Sequence, residues 1–200
     1  QDSGAGMIGR ATILVAVVIL LSGCGVVADR QDLGVKVDTP QLRALKKNTG
    51  MKDCPKTSAP KAMGSKALPD LTLPCLGGGR DVELRRLRGP MLISLWAQWC
   101  VNCPRELAWF QQAADEYDGR VQVLGINWQD TQPAAALELA AQKGATFPSV
   151  ADTSGEFRSR GLPRLVMIDA GGQVVYDHAG ELKDMATLRS LIEQHLGVSR

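Results

Sequence analysis

Two cysteines three positions apart, Cys100 and Cys103, lie in the stretch LWAQWCVNCPRE at residues 95–106. Trp96 and Trp99 precede them and Pro104 follows. Sulfurs at this spacing can hold a metal, staple a loop or pass electrons. A stable metal site wants three or four ligands, and the chain has only two histidines, His178 and His195, both distant in sequence. Electron transfer makes a different demand. One sulfur must be favoured as the thiolate, the attacking form, and the second must lie close enough to resolve the mixed disulfide.

The flanking residues supply that setting. PMLISLWA (90–97) is a continuous apolar run, the pattern of a strand buried on both faces. RELAWFQQAADEY, from Arg105, sets Leu107, Phe110, Ala114 and Tyr117 on one helical face. The cysteines fall where the strand hands over to this helix. Unsatisfied N–H groups and roughly half a positive charge at the helix tip favour a thiolate there.

Further elements follow from periodicity and punctuation. LTLPC (71–75) and RDVEL (80–84) flank three glycines and predict a hairpin. VQVLGINW (121–128) predicts a second buried strand. QPAAALELAAQKG predicts a helix, with Pro133 near its start and Gly144 past its end. PRLVMIDAGGQVVYDHAG predicts two strands around Ala170, Gly171 and Gly172. Asp184 is positioned to cap a last helix with Met185, Leu188, Leu191, Ile192 and Leu196 inward and Gly197 as its stop. From residue 90 the order is strand, helix, strand, helix, strand, strand, helix. That order predicts an α/β domain with parallel strands joined by crossover helices and an antiparallel edge.

WAQWCVNCPRE resembles the active-site segment of thioredoxin-fold proteins. The chain is most similar to the extracytoplasmic TlpA/ResA-like thiol–disulfide oxidoreductases, over roughly Leu68 to Leu196. The most specific shared elements are Trp99-Cys100-x-x-Cys103 after a buried strand and Gly161-Leu162-Pro163 before another. LPDLTLP, LGINWQD, FPSVAD and AGE extend the likeness. The resemblance implies a thioredoxin-like fold, a central mixed β-sheet flanked by helices with an N-terminal β-hairpin. It makes Cys100 the attacking and Cys103 the resolving cysteine, and it implies no cofactor beyond their redox-active disulfide and no metal. Pro163 is implied to be a cis-proline that turns the backbone of Leu162 outward, where a substrate peptide can add as a short strand. Trp99 is implied to form an apolar rim.

Three departures from the family pattern stand out. Ser94 occupies the place of a buried aspartate, so a proton acceptor is missing from that strand. Glu106 matches a glutamate of the ResA-like subgroup and either shuttles the proton instead or is a solvated first-turn residue favoured by the dipole. Pro104 follows the motif where the usual proline lies inside it. Arg164 follows Pro163 where threonine is common, and its guanidinium either favours the thiolate or points to solvent.

The N-terminus reads as an address. ATILVAVVILLSGCG (11–25) is apolar from Ala11 to Leu21 after Arg10, the length of a signal-peptide core and short of the roughly 20 residues of a membrane span. Leu21-Ser22-Gly23-Cys24 resembles the bacterial lipobox, which implies lipid on Cys24; the alternative is an uncleaved anchor running from Ala11 to Ala28, and either reading places the domain on the extracytoplasmic face of the cell membrane. The expected organisation is a signal peptide over 1–23, a lipidated tether over 24–67 and a thioredoxin-like domain over 68–200. Residues 25–66 carry nine Lys/Arg against four Asp, whereas the rest of the chain from 67 on is mildly acidic. Thr39-Pro40 is placed to cap a short helix ending near Gly50 in that tether. A net charge of +2 with no dense Lys/Arg cluster gives no nucleic-acid patch.

In an oxidising compartment the four remaining cysteines form an even set. Cys54 and Cys75 lack the short spacing of a redox motif, so a structural disulfide pinning tether to hairpin is expected. The expected partners are exported disulfide or dithiol proteins as substrates, a membrane thiol–disulfide electron carrier, and the lipid membrane through Cys24. The resemblance leans toward reduction of exported proteins such as apocytochrome c. A disulfide-forming oxidase and a copper- or zinc-handling lipoprotein are the alternatives.

Overall fold

The computed structural model describes residues 34–200. The signal segment and Cys24 lie outside the described residues.

Strand β3 (Met91–Trp96) is buried along its whole length and forms the middle of a five-stranded sheet. Its neighbours are β4 (Gln122–Trp128), parallel, and β6 (Arg164–Ile168), antiparallel. Beyond β4 lies β5 (Ser149–Asp152), parallel to it, and beyond β6 lies β7 (Val174–Ala179), antiparallel. The sheet order is therefore β5-β4-β3-β6-β7. Crossover helices α2 (Cys103–Glu116) and α3 (Pro133–Gln142) link the parallel strands, and α4 (Met185–Leu196) closes the chain. Asp184 Oδ1 accepts the Thr187 N–H at 2.7 Å to start α4, and Gly197 ends it in the left-handed region at φ 66°.

The sheet separates two apolar layers. On one face Leu92, Trp96, Leu165 and Met167 pack with Leu107 and Phe110 of α2, Leu137 of α3, and Leu188 and Ile192 of α4. On the other face Ile93, Leu95, Ile126, Val166 and Ile168 pack with an N-terminal hairpin, β1 (Thr72–Leu73) and β2 (Val82–Glu83). The alternation along β6 assigns Leu165 and Met167 to the first face and Val166 and Ile168 to the second.

Two features differ from the sequence reading. Strand β5 was not expected. It joins the sheet because Gly125 of β4 lets it approach: a Cβ at residue 125 would lie 2.2 Å from Ser149 Oγ. The stretch read as a tether is the second difference, since from residue 34 it packs on the domain. Helix α1 (Pro40–Thr49) begins at Thr39, whose Oγ1 accepts the Leu42 N–H, and ends at Gly50 at φ 74°. It lies against α3. Val37, Leu42, Met51, Cys54 and Ala62 are buried, while most of the basic side chains between them point outward. Lys52 N–H bonds to Thr146 O at 2.8 Å and Ala62 N–H to Arg85 O at 2.8 Å. The compact part thus starts well before Leu68, because apolar residues at wide intervals anchor an otherwise charged segment.

Candidate active site

The segment between β3 and α2 carries the dithiol. Cys100 N–H donates to Ala97 O at 3.2 Å, turning the chain out of the strand. Asn102 then occupies the N-cap position of α2 without using its side chain as a cap. The Cys103 N–H donates instead to Cys100 Sγ at 3.2 Å, so the sulfur satisfies one of the free donors of the first helical turn. Pro104, at the next position, has no N–H to leave unpaired and fits the start of the helix. Cys100 and Cys103 are joined as a disulfide with Cα atoms 5.5 Å apart. Both are covered, Cys100 at 6% exposure and Cys103 at 1%. Cys100 is the less covered of the two sulfur-bearing residues, but it is less open than expected for an attacking cysteine.

Glu106 lies three residues beyond Cys103, on the same side of α2. It is only 2% exposed, so it is not a solvated first-turn residue. Its Oε1 accepts the Leu182 N–H at 2.7 Å. Burial pushes the carboxyl up to about 7, against the opposing pull of the Leu182 N–H and the Arg105 charge. Ser94 is buried in β3 between Gly125 and Leu165, so no acid enters from that strand. Glu106 is the acid of the dithiol end of α2 that can change protonation near neutrality.

A three-residue loop ties these parts together. The Gly180 N–H donates to Pro163 O at 2.9 Å. The Glu181 carboxylate accepts from Asn102 Nδ2, inside the Cys-x-x-Cys motif, and from Arg105 Nη2 at 2.8 Å. Leu182 N–H meets Glu106. The Leu162–Pro163 bond is cis, as the resemblance implied. The Leu162 N–H and C=O have no partner among the described residues, so a free backbone edge lies beside the loop.

Trp99 and Trp96 divide as read from their positions. Trp96 is in the core, and Trp99 is 48% exposed, with its Nε1–H donating to Gln129 O at 3.0 Å. Val101, 90% exposed, continues the apolar rim around Cys100. Asp130 was missed by the sequence reading. Fully buried, it accepts from Gln98 N–H at 2.7 Å, Asn127 Nδ2 at 2.9 Å and Gln132 N–H at 3.0 Å. It thereby holds the approach to Cys100 against the start of α3. Its signal was an aspartate just after a buried strand and three residues before Pro133, where a loop carboxylate meets free helix donors.

Arg164 takes neither role first considered for it. Its guanidinium forms a two-point pair with Asp177, at 2.8 and 2.7 Å, donates to Arg158 O at 2.7 Å and lies over the Phe157 ring. It shares a sheet face with Val166 and Ile168, opposite the layer that holds Cys100 and Cys103.

Cys54 and Cys75 are joined as a second disulfide, buried on the hairpin side, with Cα atoms 5.9 Å apart. The buried Lys46 ammonium lies 3.2 Å from Cys75 Sγ, donates to Gly78 O at 2.8 Å and pairs with Asp53 at 3.1 Å. Among the described residues no three His, Cys, Asp or Glu side chains gather to hold a metal ion. Among them, too, no helix is long and apolar enough to cross a membrane.

Comparison with known proteins agrees with this geometry. The model of the AhpC/TSA family matches residues 64–177. The thiol:disulfide interchange protein DsbE of Yersinia pestis is 29% identical over 135 residues, covering 64% of this chain and 70% of that protein. The thiol:disulfide interchange protein HelX of Rhodobacter capsulatus is 28% identical over 136 residues, covering 62% and 73%. Among solved structures, one described as a DsbE-type thiol:disulfide interchange protein from Chlorobium tepidum superposes with a TM-score of 0.57. It is 28% identical and is matched over 100% of its length by 70% of this chain.

Proposed function

The chain belongs to the AhpC/TSA family and is a thioredoxin-like thiol–disulfide oxidoreductase, and on that premise we propose that it reduces disulfides in exported proteins from a lipid anchor at Cys24. Apocytochrome c is the substrate class favoured by the TlpA/ResA resemblance, and a membrane thiol–disulfide carrier is the source of electrons. The thiolate of Cys100 attacks one substrate sulfur and expels the other as a thiolate. Cys103 loses its proton to Glu106 and attacks Cys100 Sγ, releasing the second substrate sulfur. Two electrons pass to the substrate and the Cys100–Cys103 disulfide forms; the carrier restores the dithiol.

The observation that carries this reading is the helix tip itself. Cys100 Sγ accepts the Cys103 N–H, and a buried carboxyl raised to about 7 sits one turn on. The N–H and the helix dipole favour the Cys100 thiolate, and the carboxyl is matched to a proton that must move near neutrality.

The roles of the two sulfurs are separable. Cys103→Ser is expected to accumulate a covalent adduct with an exported disulfide protein, seen on a non-reducing gel and lost with reductant. Cys100→Ser is expected to give little. Equal trapping by both variants, or by neither, would refute the assignment. Mass spectrometry of the adduct identifies the substrate.

A further inference from the structure

The loop that leads into cis-Pro163 carries Arg158 and Arg160, both exposed, and Arg164 follows the proline. These three arginines, with Ser159, Asp177 and Ala179, line a cleft of about 420 Å³. Their charges are not equally engaged. Arg164 is neutralised by the two-point pair with Asp177. Among the described residues the guanidinium groups of Arg158 and Arg160 have no ion-pair or hydrogen-bond partner. Glu156, the one acid of the loop 153–163, accepts from Ser154 Oγ. Glu156 keeps its charge but is not among the residues lining this cleft, whose three arginines and Asp177 leave a net charge of +2.

Its place in the fold gives that charge a use. Arg160 is two residues before Leu162, whose backbone N–H and C=O are unpaired. Arg164 pairs with Ala179 across the β6–β7 ladder, and Gly180 N–H bonds Pro163 O. The arginine cleft and the dithiol layer thus flank the same backbone edge from opposite faces of the sheet. A peptide lying on that edge with its cysteine turned to Cys100 sends neighbouring side chains toward the arginines. On the dithiol side the rim is apolar, formed by Trp99 and Val101.

Resting on the oxidoreductase reading, we propose that the arginine cleft selects protein substrates with acidic residues flanking the reactive cysteine. Complementary charge near a docking edge raises the rate of productive encounter, and like charge lowers it. Guanidinium groups match carboxylates with paired N–H donors.

Three peptides with one central cysteine test this, flanked on both sides by glutamates, lysines or serines. Each cysteine carries thionitrobenzoate through a mixed disulfide. The reduced full chain attacks the peptide sulfur with Cys100 and expels coloured thionitrobenzoate. Cys103 then attacks Cys100 and frees the peptide thiol, so a dithiol is oxidised as one mixed disulfide becomes two thiols. The glutamate peptide is expected to react about tenfold faster than the lysine peptide at low salt. That ratio should fall to within about twofold in ~1 M salt, where the screening length is about 3 Å. The doubly reversed variant Arg158→Glu/Arg160→Glu should invert the ratio, and Arg158→Lys/Arg160→Lys should keep most of it. The ratio is taken within each variant against its own serine peptide, so partial loss of folded protein cancels. Equal rates for the three peptides, or faster reaction of the lysine peptide, would overturn the cleft's role while leaving the oxidoreductase reading intact. Release of thionitrobenzoate from none of them would overturn both.

Discussion

A carboxyl group one turn beyond a dithiol, out of water and held by a single peptide N–H, has its ionised form disfavoured by burial. Glu106 has these properties, and its pKa of about 7 follows chiefly from burial. Its sequence context left two readings open, because an acid in a first helical turn is favoured by the dipole whether or not it is covered. What decides is the Gly180–Leu182 loop folding over it from the far end of the chain, a contact between residues 76 apart. Glu106→Gln keeps an acceptor for the Leu182 N–H but cannot carry the proton. Its exchange rate should drop about tenfold to a hundredfold, and its pH–rate profile should lose the inflection near 7. Stability gives an independent reading. A carboxyl raised from 4.5 to about 7 on folding favours the folded state when protonated. Wild-type stability should therefore fall as pH rises from about 4.5 to 7, by about 2 kcal/mol after allowing for water near the site. The glutamine variant should lack that slope in denaturant titrations across this range. An unchanged rate profile with a lost stability slope would make Glu106 a structural acid only.

At the level of elements, legibility followed the range of the forces involved. Helix α4 was readable at both ends because Asp184 and Gly197 act locally. The β6–β7 hairpin and the strand–helix junction at Cys100 were readable for the same reason. Strand β5 was not, since its four residues carry no period and owe their place to a parallel partner across Gly125. Segment 34–67 was misread because charge dominates its composition, while the contacts that fold it are few and distant. The environment of Lys46 was hidden likewise: a lysine in a basic stretch gives no sign that it will be buried against Cys75 and the Gly78 carbonyl. The Cys54–Cys75 link fastens this segment to the hairpin across 21 positions. By loop-closure entropy it contributes about 3 kcal/mol. Cys54→Ala/Cys75→Ala should lower the denaturant midpoint accordingly and leave exchange by the folded protein near wild type. In the wild type, mild reductant followed by alkylation should label Cys100 and Cys103 and spare Cys54 and Cys75. Labelling of Cys54 as fast as Cys100 would show that the second disulfide also cycles.

For the whole molecule, the packing of residues 34–67 changes what an anchor at Cys24 means. A tether running to Leu68 would let the domain roam far from a bilayer. With the described part already packed at Val37, about ten residues separate Cys24 from Gly34. A chain of that length spans at most roughly 35 Å. A lipidated form would therefore be held on a shorter leash than a tether running to Leu68 would give, which bears on how it could meet the proposed membrane carrier. Thiol exchange needs direct contact between sulfurs, so confinement near the carrier raises the effective concentration of the two partners without any new interface. A fatty-acid analogue fed to cells making the full chain should label the wild-type protein and not Cys24→Ala. The variant should also leave the membrane fraction. Its regeneration by membranes should slow, while its exchange with a soluble peptide disulfide should be unchanged, since Cys24 lies far in sequence from the dithiol. Equal labelling of both proteins would refute the lipid anchor. Labelling confined to the wild type with equal regeneration would keep the anchor and remove the carrier from the membrane.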